Sequence, residues 1–292
     1  MTTDIGPQYS LDDSFKAAAR LHQSNYRAGV LKVDHAEYGN RLSDIDGRAL
    51  LNYYDGLGVR EALRDRFRGY SKKRDADMLR SEHISFNLLA PLAGRPELMK
   101  AVLNDGFGLE LDGPFKMKFE WAPEPAGNYL GDMTSFDAYI QGAGSAGERV
   151  GIGIEVKYTE QGYRIGESEA KRVQDQDSTY WVTTRKSELF VDECAQLAED
   201  NLRQIWRNHL LGLAMVKRGD IERFVSVTLY PAGNTHFTQA LATYESKLVA
   251  AAQNSARGCT FERYIGTLRG DGDIEAWKQY LMARYLIAGH SA

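Results

Sequence analysis

Two apolar segments joined by a glycine-rich loop limit most strongly what this chain can fold into. The segments "DMTSFDAYIQ" (132–141) and "RVGIGIEVKYTE" (149–160) each have the composition of a β-strand, and "GAGSAGE" (142–148) lies between them. A flexible loop of this length is typical of a hairpin between adjacent antiparallel strands. The sequence therefore predicts a β-sheet in which these two strands are neighbours.

The second of these strands carries two charges in a segment that otherwise looks buried. Side chains at i and i+2 of a strand lie on the same face, so Glu155 and Lys157 are neighbours, while Ile154 and Val156 point to the opposite face. Asp137 stands in the preceding strand among apolar residues, where a buried carboxylate is costly unless it has a partner. In a hairpin, Asp137 can face Glu155 across the ladder.

Two carboxylates side by side repel each other unless a positive charge lies between them. A divalent cation resolves this conflict, and oxygen ligands suit Mg²⁺. The amine of Lys157 would then lie beside the metal, where it can orient a water molecule or stabilise developing negative charge. The simpler interpretation of Glu155 and Lys157 is an ion pair on a half-exposed strand of an unrelated α/β protein.

Helical patterns and further strands surround this hairpin. The alternating "PFKMKFEWAPEP" and the apolar "RFVSVTLYP" predict two more strands. Helices are predicted within residues 10–30 with Ser10 as the N-cap, within 45–57, within 77–90, from Phe190 to Lys217, and within 236–254 and 273–288. This order predicts an α/β fold with one mixed central sheet flanked by helices on both faces and an N-terminal helical elaboration.

Four segments, taken in order, resemble restriction-endonuclease-like proteins of bacteria in the PD-(D/E)XK nuclease superfamily. They are "SEHISFNLLAPL", "TSFDAYI", "IEVKYTE" and "RQIWRNHLLG", and the resemblance spans roughly residues 78–230. Asp137, Glu155 and Lys157 match the acid and the E-x-K of that superfamily, although Phe136 stands where its pattern has proline. The resemblance implies a restriction-endonuclease-like core and a single nuclease domain over 1–292, with a helical elaboration (1–90), a catalytic core (110–235) and C-terminal helices (236–292).

The resemblance also implies a function and roles for further residues. The implied activity is Mg²⁺-dependent hydrolysis of DNA, in which Mn²⁺ can replace Mg²⁺, and the alternative is a catalytically silent nuclease fold that binds nucleic acid or serves in assembly. The Val156 carbonyl would be a third metal ligand, and Glu82 would add an acid from the upstream helix. Gln204 could reach the active site and Arg207 a phosphate; the sequence does not distinguish DNA from RNA, or an endonuclease from an exonuclease.

The charge of the chain determines where a polyanion could bind. The net charge is −4, from 36 Lys and Arg against 40 Asp and Glu, so the chain as a whole does not attract nucleic acid or an anionic membrane. Residues 60–80 carry eight basic and four acidic residues, and they include Arg66 and Arg68. This segment is either a phosphate-contacting patch or a solvated helix face.

The remaining composition favours a cytoplasmic protein. Cys194 and Cys259 lie in no CxxC motif and at no ligand spacing from a histidine, which fits a reducing compartment and argues against a disulfide framework or a zinc site. The first fifteen residues are polar and do not resemble a signal peptide. No apolar run approaches the roughly 20 residues needed to span a bilayer. The sequence gives no oligomeric state.

Overall fold

A computed structural model of the chain describes residues 4–162 and 165–289. Its strands are β1 (Leu111–Trp121), β2 (Phe136–Gly144), β3 (Arg149–Val156), β4 (Arg223–Tyr230) and β5 (Ala256–Thr260). Its α-helices are α1 (Ser14–Tyr26), α2 (Asp44–Arg48), α3 (Val59–Arg66), α4 (Ser81–Leu89), α5 (Pro96–Ala101), α6 (Glu167–Gln174), α7 (Thr179–Ser187), α8 (Arg203–Arg218), α9 (Thr235–Glu245), α10 (Phe261–Thr267) and α11 (Gly272–Tyr285).

The strands form one five-stranded sheet within the described residues, in the order β1-β2-β3-β4-β5. Strand β2 is antiparallel to both β1 and β3, whereas β3, β4 and β5 are parallel to one another. The glycine-rich loop joins β2 to β3, so the predicted hairpin is confirmed. The predicted mixed sheet is confirmed as well.

Separate hydrophobic clusters cover the two faces of the sheet. On one face, the even-numbered apolar residues of β3, such as Ile154 and Val156, pack with residues of α4, α10 and α11. On the other face, Phe136 and Phe224 pack with residues of α7 and α8. A Cβ atom on Gly153 would lie 2.5 Å from the Phe136 ring and 2.7 Å from the Phe224 ring, so glycine in β3 lets these rings contact the backbone of the sheet.

The N-terminal helices pack against the core of the sheet and the C-terminal helix. Ala19 of α1 belongs to the same hydrophobic cluster as β3 and α11. The amide of Gln23 donates to the Tyr158 hydroxyl at 2.9 Å and to the Arg284 carbonyl at 2.7 Å. Asn87 of α4 donates to the Tyr285 hydroxyl at 2.7 Å and to the Asn52 carbonyl at 3.0 Å. The N-terminal elaboration is therefore fixed to the strand ends by buried polar contacts.

Several predicted helix limits were wrong. The N-cap of α1 is Asp13, which accepts the Lys16 N–H at 2.9 Å, and Ser10 lies outside the helix. The helix predicted from Phe190 to Lys217 begins only at Arg203, because Phe190 pairs with Leu248 in an isolated bridge. In place of the helix predicted within 45–57, the structure has only the short helix α2, which ends at Arg48. Amphipathic periodicity does not show such tertiary pairing.

No helix in the described part of the chain is long and apolar enough to cross a membrane.

Candidate active site

The site lies where the pairing of β2 with β3 ends. Ala138 pairs with Ile154, so Asp137 and Glu155 are the next residues of the two strands and lie side by side. Lys157 follows on the same face of β3, and both Glu155 and Lys157 are buried. The structure thus brings together the three residues of the predicted triplet.

Three side chains donate hydrogen bonds to the Glu155 carboxylate. The ammonium of Lys157 lies 2.7 Å from Oε1, and Gln204 donates to the same oxygen. Asn208 Nδ2 donates to Oε2 at 2.6 Å. Gln204 and Asn208 are four residues apart on α8 and therefore share a face, which lies over Glu155. Together these donors fix the orientation of the carboxylate.

Asp137 takes the place of a backbone partner at the end of the hairpin. Its Oδ2 accepts the Val156 N–H at 2.6 Å, where β2 no longer supplies a carbonyl. Since the N–H and C=O of one strand residue face the same neighbour, the Val156 carbonyl also faces the Asp137 side. Burial and the charges of Glu155 and Glu120 raise the pKa of Asp137 well above its ordinary value, while Lys157 and the Val156 N–H oppose the shift.

Lys157 supplies the positive charge of this acidic cluster. Burial lowers the pKa of the Lys157 ammonium, but the charges of Glu155, Glu160 and Asp137 outweigh burial and raise it above its ordinary value. The amine is therefore protonated at neutral pH. It can donate hydrogen bonds to Glu155 and to a further oxygen nearby.

Glu120 is a further carboxylate at the site, which the sequence interpretation missed. In the register of β1 and β2, Phe119 pairs with Ala138 and Trp121 with Phe136, which places Glu120 level with Asp137. Its backbone is left-handed, with a φ of 46°, and the Arg66 guanidinium donates to its carbonyl oxygen at 2.8 Å. Burial, Glu155 and Glu82 raise the pKa of Glu120 to about 7. The sequence signal that could have indicated Glu120 is its position at the end of the alternating strand that precedes the triplet.

Glu82 and Glu160 lie at the border of this cluster. Glu82, at the start of α4, pairs with Arg80 at 3.6 Å and is close enough to influence Glu120. The Glu160 carboxylate accepts the Tyr158 N–H at 2.8 Å and the Ser81 N–H at 3.3 Å, so it ties the end of β3 to α4. Burial raises the pKa of Glu160, but Lys157 and these N–H groups lower it below its ordinary value.

Residues predicted to contact DNA occupy different environments. Gln204 reaches Glu155, as described above. The guanidinium of Arg207 is buried; it lies 2.5 Å from the Glu169 carboxylate and donates to the Thr134 hydroxyl at 2.7 Å. Arg68 is exposed, and Arg66 holds the end of β1 through the Phe119 and Glu120 carbonyls. A phosphate at Arg207 would have to compete with Glu169, whereas Arg68 is accessible.

An open groove of about 1130 Å³ runs along the end of β1. Arg66, Lys118 and Glu120 line it together with Asp132 and Ser135, which lie just before β2. The groove therefore reaches the acidic cluster at Glu120 and extends to the exposed end of α3.

The donor atoms fit a weakly held cation with oxygen ligands. A carboxylate offers about four lone-pair positions; Glu155 uses three and Asp137 uses one for the hydrogen bonds described above. Each carboxylate therefore keeps a lone pair for a metal, and the mutual repulsion of Asp137 and Glu155 favours one. Within residues 4–162 and 165–289, no group of three or more His, Cys, Asp or Glu side chains is placed to hold a metal ion. Further ligands would have to be the Val156 carbonyl, water and substrate.

We expect the stability of the metal-free protein to fall as the pH rises through about 7. The folded-state pKa of Glu120 is raised from 4.5 to about 7 by burial and by the charges of Glu155 and Glu82, and Arg66 and Arg74 oppose this shift. The contribution of Glu120 to stability is therefore complete below pH 4.5 and is lost as its carboxyl ionises. Thermal melts in EDTA from pH 5 to 8.5 should show this slope in the wild type. Glu120→Gln should flatten it, and Glu110→Gln, an exposed control just before β1, should not.

Comparison with known proteins agrees with this geometry. A family model described as the PD-(D/E)XK nuclease superfamily matches residues 10–287. Searches of curated proteins and of solved structures found no match. The family match confirms the resemblance carried by the four segments, and the mixed sheet with flanking helices has the corresponding restriction-endonuclease-like fold. Since the match covers nearly the whole sequence, this chain belongs to the PD-(D/E)XK nuclease superfamily.

Proposed function

We propose that this protein is a Mg²⁺-dependent nuclease that hydrolyses phosphodiester bonds of DNA. One observation carries the proposal. Asp137 and Glu155 lie side by side at the end of the hairpin, with the Lys157 ammonium 2.7 Å from Glu155, next to an open groove. Lys157 offers one positive charge to two adjacent carboxylates, so a bound cation would offset the charge that Asp137 carries when it is ionised beside Glu155.

Asp137, Glu155 and the Val156 carbonyl would hold the metal. Bound there, Mg²⁺ or Mn²⁺ supplies positive charge that offsets the negative charge developing on the phosphate during cleavage. Glu155 keeps its orientation because Lys157, Gln204 and Asn208 all donate to it. So small a set of protein ligands implies loose binding, since Mg²⁺ usually keeps several waters.

The protonated Lys157 would position the attacking water. Its ammonium is fixed by Glu155 and still has hydrogens for a water oxygen. The water oxygen forms a bond to phosphorus while the ester bond to the leaving oxygen breaks. The water gives up a proton to the solvent, and the leaving oxygen takes up a proton from it. Glu82, two residues after Arg80 at the border of the cluster, would have a supporting role rather than a direct one.

The groove along β1 would hold the nucleic acid, with Arg66 and Arg68 on its α3 side. Arg66 anchors the strand end through backbone carbonyls, so Arg68 and Lys118 are better placed to meet phosphates. RNA contains the same phosphodiester group and is a second candidate substrate. We also propose that 1–292 works as one domain, because α1, β3 and α11 share a hydrophobic cluster; residues 1–3, 163–164 and 290–292 lie outside the described part.

Nicking of supercoiled plasmid tests the proposal. We expect nicking with Mg²⁺ or Mn²⁺, none with EDTA, and binding without turnover in Ca²⁺. Absence of nicking with each metal, while DNA binding persists, would instead support a silent nuclease fold that serves as a nucleic-acid-binding or assembly module. Absence of both would contradict either function.

A further inference from the structure

A second pocket, of about 340 Å³, lies between the N-terminal elaboration and the end of β3. We call it the N-terminal pocket and define it by Tyr9, Lys16, Arg20, Tyr38, Arg41 and Arg80, which line it together with Thr159 and Glu160. Its basic residues come from α1, from the segment before α2 and from the residue before α4. The convergence of separate segments on one small pocket requires an explanation beyond a solvated helix face.

Three cations of the N-terminal pocket face water, whereas Arg20 and two of the acids are largely covered. The side chains of Lys16, Arg41 and Arg80 are 38%, 26% and 43% exposed. Asp12 is 2% and Asp77 11% exposed. The pocket therefore presents a positive surface although its lining contains both signs of charge.

The acids are also the better satisfied partners. Asp12 is held by Arg20, with Nε 2.5 Å and Nη2 3.2 Å from its two oxygens. Asp77 accepts the Asn40 amide at 2.8 Å and the Leu79 N–H at 3.1 Å. By contrast, Lys16 lies 3.8 Å from Asp12 and Arg80 3.6 Å from Glu82, and such long ion pairs cost little to exchange for a phosphate oxygen. Arg41 lies 3.2 Å from Asp77, so a phosphate would share this guanidinium with Asp77.

Aromatic rings form one side of the N-terminal pocket. Tyr9 is 41% exposed and contacts the Tyr38 ring edge to face, with the centroids 5.8 Å apart. The Arg20 guanidinium lies 5.2 Å from the centroid of Tyr38 and 5.8 Å from that of Tyr9, which fixes the two rings from behind. Exposed aromatic rings beside cations are the arrangement on which single-stranded nucleic acids stack their bases.

The N-terminal pocket adjoins the active site. Thr159 and Glu160 in its wall come two and three residues after Lys157, and the charge of Lys157 acts on Glu160. Arg80 in its wall pairs with Glu82, which lies beside Glu120. The open groove reaches the same acidic cluster from the β1 side.

We propose that the N-terminal pocket binds one unpaired nucleotide of the substrate strand, its phosphate against Lys16, Arg41 and Arg80 and its base against Tyr9. The inference rests on the proposed nuclease function for the identity of the strand. A pocket of this size admits a single nucleotide and excludes a duplex, so the strand must be single or frayed where it enters. The protein therefore acts on single strands or on ends, with the strand running from the open groove past Asp137 and Glu155 into this pocket.

Binding of a short single-stranded oligonucleotide in Ca²⁺, followed by fluorescence anisotropy over a range of salt concentrations, tests this assignment. Lys16→Ala/Arg80→Ala should weaken binding and reduce the salt slope by about 0.7 for each phosphate that the protein no longer neutralises. Lys186→Ala/Lys217→Ala removes the same charge from exposed positions on α7 and α8 and should leave the slope unchanged. The same titration with a DNA and with an RNA oligonucleotide of equal length shows which of the two nucleic acids the pocket binds.

The base contact has its own pair of variants. Tyr9→Ala should lower single-strand affinity by roughly five-fold or more, the effect of removing the stacking of one base, while Tyr9→Phe keeps the ring and the affinity. A closed hairpin duplex should not respond to Tyr9→Ala. Equal affinities of Tyr9→Ala and Tyr9→Phe, or equal salt slopes of the two double variants, would overturn the assignment.

These results are separable from the test of nuclease activity. If the wild type nicks DNA in the presence of metal but the pocket variants bind single strands as tightly as the wild type, the nuclease function stands and the assignment of the pocket is overturned. If the pocket variants weaken single-strand binding but no metal supports nicking, the assignment of the pocket stands and the nuclease function is overturned. A wild type that does not bind single strands at all would overturn the assignment of the pocket.

Discussion

Replacing Lys157 with methionine is expected to lower the rate of phosphodiester cleavage at least about a hundred-fold, the usual effect of removing a donor that acts in the transition state. Methionine keeps an apolar stem of similar length but has no ammonium for water or for the phosphate. Glu155 would still be held by Gln204 and Asn208, so its orientation should survive. The measurement is the initial rate of plasmid nicking in saturating Mg²⁺.

Lys116→Met is the matched control for this variant. Lys116 is an exposed lysine of β1 outside the open groove, so the same change there should leave the rate unaltered. Circular dichroism and DNA affinity in Ca²⁺ would show that Lys157→Met is folded and binds substrate. A wild-type rate in a folded Lys157→Met protein would remove this amine from the chemistry.

Asp137→Asn should abolish cleavage and, in the absence of metal, stabilise the fold. The folded-state pKa of Asp137 is raised by burial and by Glu155 and Glu120. Its contribution to stability is therefore complete below the ordinary value of 3.8 and is lost as the pH rises through the raised value. Asparagine cannot ionise, can still accept the Val156 N–H, and can turn its amide hydrogens toward the neighbouring carboxylates.

Melting curves in EDTA at several pH values, repeated with Mg²⁺, check this second result. The variant should melt above the wild type by a margin that grows with pH, at about 2–4 °C per kcal/mol for a protein of this size. Mg²⁺ should raise the wild-type melting temperature and leave the variant unchanged, because the variant lacks a ligand. Asp192→Asn, at an exposed position, is the control. A variant less stable than the wild type at pH 8 in EDTA would show that Asp137 is not repelled by its neighbours.

The hairpin and its triplet could be predicted because they depend on local sequence. Alternation fixes which residues of β3 share a face, and a short loop fixes which residues of β2 lie opposite them. The prediction that Asp137 faces Glu155 follows from these two facts, and the last pair of the register, Ala138 with Ile154, leaves these two residues next in line. The mixed sheet followed from the order of strands and the helix between β3 and β4.

The hydrogen bonds and ion pairs that complete the site depend on pairing between distant segments, and local patterns do not show them. Local sequence gives Asn208 no role, yet its side chain donates to Glu155, which lies 53 residues earlier in the chain. Glu120 is level with Asp137 only because β1 pairs with β2 in one particular register. The amphipathic pattern of α8 favours an exposed Arg207, whereas Glu169, on a helix absent from the sequence interpretation, lies against its guanidinium.

The hydrogen bond from the Val156 amide to Asp137 gives the site a built-in spectroscopic reporter. The electron density on the acceptor oxygen sets the ¹⁵N and ¹H chemical shifts of this one amide, so protonation of the carboxylate and coordination of a cation should each move its resonance. A titration of a single crosspeak can therefore give the metal dissociation constant and the ionisation of Asp137 separately, in a protein that need not turn over any substrate.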